Sequence, residues 1–161
     1  MNIFVAGGTG AIGIPLVRSL VAGGHQVTAL TRSTGKQAEL RALGATPAVA
    51  DALDRDALIA VVKAARPTHV IHQLTALPKD GVRRPADLEA TNRLRIDGTR
   101  NLLEAAVNAG ARRFLAGSFP ILSAPAGSVA PADDAAAAAV QSMESQVLDA
   151  SKRGVIEGVV L

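Results

Sequence analysis

Four glycines crowd into seven residues near the amino terminus, in Gly7-Gly8-Thr9-Gly10-Ala11-Ile12-Gly13. Both Gly8-x-Gly10-x-x-Gly13 and Gly7-x-x-Gly10-x-x-Gly13 are spacings that let main-chain N–H groups close around phosphate at the mouth of a helix. The pattern is informative only between a strand and a helix. Here the short apolar run Asn2 to Ala6 precedes it, and Ala11 to Ala22, of helical period, follows it. In that setting an early glycine makes the tight turn, Gly10 lets the backbone approach a pyrophosphate, and Gly13 lets the helix lie close to the strand. The expectation is a dinucleotide-binding loop formed by Gly7, Gly8, Thr9, Gly10, Ala11, Ile12 and Gly13.

The end of the second apolar run, Gln26 to Thr31, bears on which dinucleotide. A site for NAD usually carries an acid there to accept hydrogen bonds from the ribose hydroxyls. This chain has Thr31-Arg32-Ser33 and no acid until Glu39. A planar guanidinium holds a phosphate bidentately, so Arg32, with Ser33 and Lys36 as secondary donors, favours NADP over NAD. A solvated arginine at a strand end is the other reading.

Other chemistries are excluded or weakened by residue type. There is no cysteine, which removes disulfides and thiolate metal sites. His69 and His72 are three apart on a strand and point to opposite faces, so no metal site is expected. His25 reads as a solvated turn residue. The net charge is +3, but the arginines alternate with acids and apolar residues, and the only aromatics are three phenylalanines. That leaves little to stack on bases, so no nucleic-acid partner is expected. The amino terminus has no basic leader region and glycines interrupt its apolar run, so neither a signal peptide nor a membrane partner is expected and the location reads as cytoplasmic.

The elements that must position these residues alternate strand and helix. Strands are expected at Asn2 to Ala6, Gln26 to Thr31, Thr46 to Ala50, Thr68 to Leu74, Arg112 to Gly117 and Val155 to Leu161. Helices are expected at Ala11 to Ala22, Lys36 to Leu43, Asp54 to Ala65, Ala86 to Ala109, and from Asp133-Asp134 onward, where Val140, Met143, Val147 and Ser151 recur on one face. The stretch Phe119 to Pro131 reads as a loop. The fold class is therefore α/β: a Rossmann-like doubly wound parallel sheet of about six strands with helices on both faces, in one domain over residues 1–161.

Several segments together resemble the NAD(P)-dependent epimerase/dehydratase family, the extended short-chain dehydrogenases/reductases. They are Gly7 to Gly13, Asp51 after the third strand, Val70-Ile71-His72-Gln73-Leu74-Thr75, Asn92 through Gly98-Thr99 to Asn101-Leu102-Leu103, and Phe114 to Ser118. The resemblance implies Asp51 and Ala52 near the adenine, Leu74 and Thr75 beside the cofactor, and Ser118 at the active-site serine. Ser118 also reads as a strand-end hydroxyl bonded to the backbone, and Asn92 either supports the site or is a packed polar residue.

Two departures stand out. The family's tyrosine and lysine would fall near Ala136 and Val140, and the chain contains no tyrosine at all. Family members also continue past this point, so the chain resembles the N-terminal part of a longer protein, with the C-terminal substrate domain absent from it. The apolar last strand would then need a homodimer contact or a further segment to cover it. Two functions follow: an oxidoreductase or epimerase acting on a small or nucleotide-sugar-like substrate, or a non-catalytic NADP-binding module such as a redox sensor or structural subunit.

Overall fold

Residues of β1, Asn2–Ala6, are apolar on both faces, which places the strand mid-sheet. In the computed structural model, which describes residues 1–119 and 134–161, Ile3 and Val5 pack with Val17 and Leu40 on one side. Phe4 and Ala6 join Leu58, Leu102, Phe114 and Val147 on the other. The remaining strands are β2 Gln26–Thr31, β3 Thr46–Val49, β4 His69–His72, β5 Arg113–Ala116 and β6 Glu157–Val160. All neighbours are parallel, in the order β3-β2-β1-β4-β5-β6. The order reverses between β1 and β4, and such a switch point opens a crevice at the carboxyl ends of the strands. Helices α1 Gly13–Ala22 and α2 Gln37–Ala42 cover one face. Helices α3 Arg55–Ala65, α4 Glu89–Arg93, α5 Thr99–Asn108 and α6 Asp134–Lys152 cover the other. The doubly wound sheet with helices on both faces is as the sequence implies.

Element ends depart from expectation by local chemistry. Helix α1 starts at Gly13 rather than Ala11, because residues 11 and 12 are still in the turn. Asp54 caps α3, its side chain accepting from the Ala57 N–H at 3.1 Å. Strand β4 stops at His72, where the Leu74 N–H turns back to His72 Nδ1 at 3.1 Å. Strand β6 lies at the sheet edge, as the sequence implies. On α6 the buried stripe is Val140, Met143, Val147 and Ala150, not Ser151. Asp133 and most of the loop expected over Phe119 to Pro131 lie outside the described residues.

The expected single helix from Ala86 to Ala109 is instead four pieces: a 3₁₀ turn at Pro85–Leu88, α4, a π turn at Leu94–Gly98, and α5. Two buried threonines explain the π turn. Thr91 Oγ1 accepts from the Ala76 N–H at 2.9 Å, and Thr99 Oγ1 meets His72 Nε2 at 2.8 Å. Eight residues of ideal α-helix would leave these hydroxyls about 80° apart around the axis. A wider π turn between them takes up that angle and brings both onto the sheet.

His72 is 1% exposed. Its Nδ1 accepts from Leu74, so Nε2 carries the proton donated to Thr99. Burial, and next the Arg95 charge, lower its pKa from 6.5 to about 4. The neutral ring's contribution is thus complete above pH 6.5 and is lost as pH falls toward 4, a difference of about 3 kcal/mol. The stability gap between the wild type and His72→Gln, measured by urea unfolding at pH 7 and pH 4.5, should shrink by about 2 kcal/mol. A gap that is constant with pH contradicts this reading. Arg66, the αL cap of α3 at φ 47°, offers a second check. Arg66→Gly should raise stability by about 0.5–1 kcal/mol in the same assay, since glycine carries no Cβ penalty there; a loss would contradict it.

Candidate functional site

The turn between β1 and α1 is built from contacts that only glycine permits. Gly7 has φ +91°, and a Cβ there would lie 2.3 Å from the Gln73 carbonyl oxygen on β4's extension. A Cβ on Gly8 would meet the Ala29 methyl at 2.7 Å, and one on Gly13 would sit 2.0 Å from the Gly7 carbonyl oxygen. Gly10 differs. Its Cβ would meet only the Gly7 carbonyl oxygen, at 3.3 Å, and otherwise open space. The backbone bonds Gly10 N–H to Gly7 C=O and Ile14 N–H to Gly10 C=O, both at 3.0 Å. The N–H groups of Thr9, Ala11 and Ile12 find no acceptor among the described residues. Helix α1 has no side-chain cap and no acid in its first turn. Its positive end is therefore uncompensated and suits an anion.

The other sequence-derived residues line the same rim. Arg32 and Ser33 follow β2, both exposed, with the Ser33 N–H tied to Thr31 Oγ1 at 3.2 Å. Lys36 is drawn toward Glu39 at 3.7 Å. Asp51 follows β3 and is exposed; its Oδ1 accepts the Leu53 N–H at 2.9 Å, which fixes the loop. Ala52 is buried, and its carbonyl accepts from Asn101 Nδ2 at 3.0 Å. Thus the glycine turn, Arg32-Ser33 and Asp51-Ala52 stand in a row at the carboxyl ends of adjacent strands. Beyond the switch point are Leu74, half-buried, and Thr75, exposed. His25 is half-buried in the turn before β2, its Nδ1 3.4 Å from the Met1 amine.

Asn92 is buried in α4, and its Oδ1 is 3.5 Å from Arg95 Nη1. The anchor of the loop after β4 is its neighbour Thr91, which the sequence reading did not single out. Ser118 follows β5, half-buried, and its N–H donates to the Leu161 carbonyl at 2.9 Å. Its hydroxyl donates to Glu144 Oε1 on α6. Glu144 is the second residue the sequence reading did not name as functional. The available signal was an acid one turn beyond Val140, within the helix whose stripe packs on the sheet. Val140 is buried at 4% and Ala136 is half-buried, so neither presents a titratable group. Among the described residues no His, Asp or Glu cluster could hold a metal ion, and no helix is long and apolar enough to cross a membrane.

Comparison with known proteins bears on what uses such a rim. The model of the NAD dependent epimerase/dehydratase family matches residues 3–151. A 3-diazoavenalumate denitrifying reductase from a Streptomyces species is 48% identical over 127 residues, which cover 79% of this chain and 40% of that protein. The UDP-glucose 4-epimerase of Thermus thermophilus, solved with NAD, superposes with a TM-score of 0.77 at 27% identity, over 99% of this chain and 54% of that one. Bordetella bronchiseptica WbmG, solved with NAD and UDP, has the same fold: TM-score 0.69, 23% identity, 90% of this chain and 48% of the other. The chain thus spans about half the length of these solved relatives or less. The match runs from β1 into α6 and takes in both the glycine turn and the serine after β5: the chain belongs to the NAD dependent epimerase/dehydratase family.

Proposed function

We propose that this chain is the nucleotide-binding part of an NADP-dependent oxidoreductase that reduces a small carbonyl-type substrate. The observation that carries the reading is the uncapped end of α1, where three main-chain donors and an open Gly10 Cα face outward. The residues fit a dinucleotide: the glycine turn would take the pyrophosphate, Asp51 and Ala52 the adenine side, and Leu74-Thr75 the far side. When bound, the dinucleotide would supply hydride to an electrophilic carbon. The chain's own residues bind and orient it, and Ser118 stands where a substrate oxygen would be held. A reductase is favoured over a sugar epimerase because the reductase relative is 48% identical and the Thermus epimerase 27%.

The preference for NADP rests on Arg32 alone among the rim residues. Its neighbour Lys36 leans toward Glu39, whereas Arg32 is exposed and has no ion-pair partner among the described residues. Its position at the end of β2 is where the adenosine ribose would carry a 2′-phosphate. The solved relatives named above hold NAD, so titration of both dinucleotides is the deciding experiment.

NADPH should bind more tightly than NADH, and Arg32→Ala should weaken NADPH roughly 10- to 100-fold, the worth of a charged hydrogen-bond pair, while moving NADH by less than about threefold. Tighter NADH binding by the wild type contradicts the NADP assignment, and saturable binding of neither contradicts the whole reading. Gly10→Ala should fold, since its Cβ meets one oxygen at 3.3 Å. Calorimetric titration should nevertheless show it losing at least about tenfold in affinity for either dinucleotide. Unchanged affinity would mean that the phosphate does not approach there.

A further inference from the structure

We infer that Glu144 relays the proton of the site through Ser118, in a chain with no tyrosine to do so. The inference rests on the oxidoreductase reading above. The Ser118 hydroxyl donates to Glu144 Oε1, and both residues are half-buried, so the contact is sheltered from solvent without being closed to it. Both partners are held from behind. Ser118 is pinned by its N–H to Leu161, and the α6 segment carrying Glu144 is fixed against the π turn by Gln146 Nε2 donating to the Ile96 carbonyl at 3.1 Å. The π turn carries Arg95 and Asp97, and His72 ends β4, the strand next to β5. His72 is neutral near pH 7 and its ring nitrogens are both engaged. Among the described residues Arg95 meets no carboxylate within ion-pair distance, whereas Arg93 and Arg100 on either side of it both pair with Asp97.

The proton step balances as follows. With hydride supplied to the carbonyl carbon by a bound reduced dinucleotide, Ser118 Oγ would give its proton to the substrate oxygen as that oxygen takes the carbonyl π pair. Ser118 Oγ regains its proton from water, relayed by the Glu144 side chain that otherwise accepts its hydroxyl, so that the glutamate ends the cycle unchanged. The bound dinucleotide would supply both electrons, and the carbonyl would leave as an alcohol. The reverse direction uses the Glu144 carboxylate as acceptor, which is the state in which Ser118 donates to it. Ser118 touches the substrate in this scheme, and Glu144 acts through it.

The wild type, Glu144→Gln, Glu144→Asp, Glu144→Ala and Ser118→Ala are compared with NADPH and a panel of simple aldehydes and ketones. Glutamine keeps an oxygen to accept the serine hydroxyl but is no acid. Glu144→Gln should lower kcat at least 100-fold with the NADPH dissociation constant within threefold of wild type, and Glu144→Asp should recover part of the rate. Added formate should restore turnover to Glu144→Ala. Isotope-edited infrared spectra of the dinucleotide-free protein give a readout without turnover: the Glu144 carboxylate stretch should shift in Ser118→Ala. Glu144→Gln active within threefold of wild type overturns the inference and leaves the oxidoreductase reading standing. An unshifted carboxylate band overturns it likewise. A wild type that binds neither NADPH nor NADH overturns both.

Discussion

The contact between the Gly13 Cα and the Gly7 carbonyl is the constraint on which the site depends. At that separation no side chain fits, so α1 sits directly on the turn that leaves β1, and its first amides face outward over the strand ends. Had the helix stood off by the thickness of a methyl group, the same amides would have pointed past the crevice. The long parallel ladder from β3 to β6 then serves to hold the other rim residues level with that opening. Apolar packing on two sheet faces supplies the rigidity, and the hydrogen-bonding capacity is left at one edge.

Most of this was legible in the sequence because each signal was local. β1 and β2 have the residues expected of them, and Gly23 and Gly44 follow their helices as the chain implies. The roles assigned to Gly7 and Gly13 reappear as a positive φ and a close approach. What local pattern did not disclose was set by contacts far apart in the chain. The π turn arises from Thr91 and Thr99 bonding to a loop and a strand end some 15 and 27 residues earlier. The partnership of Ser118 with Glu144 spans 26 residues and has no spacing rule to announce it. The family resemblance points to Asn92, yet the neighbouring Thr91 holds the loop.

The charge distribution carries a similar lesson. Counting residues gives a modestly basic protein, but placement matters more than the total. Arg55 is spent on Glu104, binding α3 to α5 on the outside. Arg113 serves Glu157 across β5 and β6, and Asp97 takes Arg93 and Arg100. Exposed pairs of this kind contribute little to stability, roughly 0.2–1 kcal/mol each. Arg32 and Arg95 are among the cations that meet no carboxylate in the described residues.

The π turn sets regularity against placement. Removing a single residue between Leu94 and Gly98 would let the backbone relax into uninterrupted α-helix with better internal geometry. Thr91 and Thr99 would then stand seven residues apart, only about 20° out of line, so both hydroxyls would keep their partners and the segment after β4 its anchor. An engineer who idealised this stretch at its present length would instead swing Thr91 by about 80° and obtain a sturdier rod and a poorer scaffold. Shortening by one residue is therefore the indel this region should tolerate best.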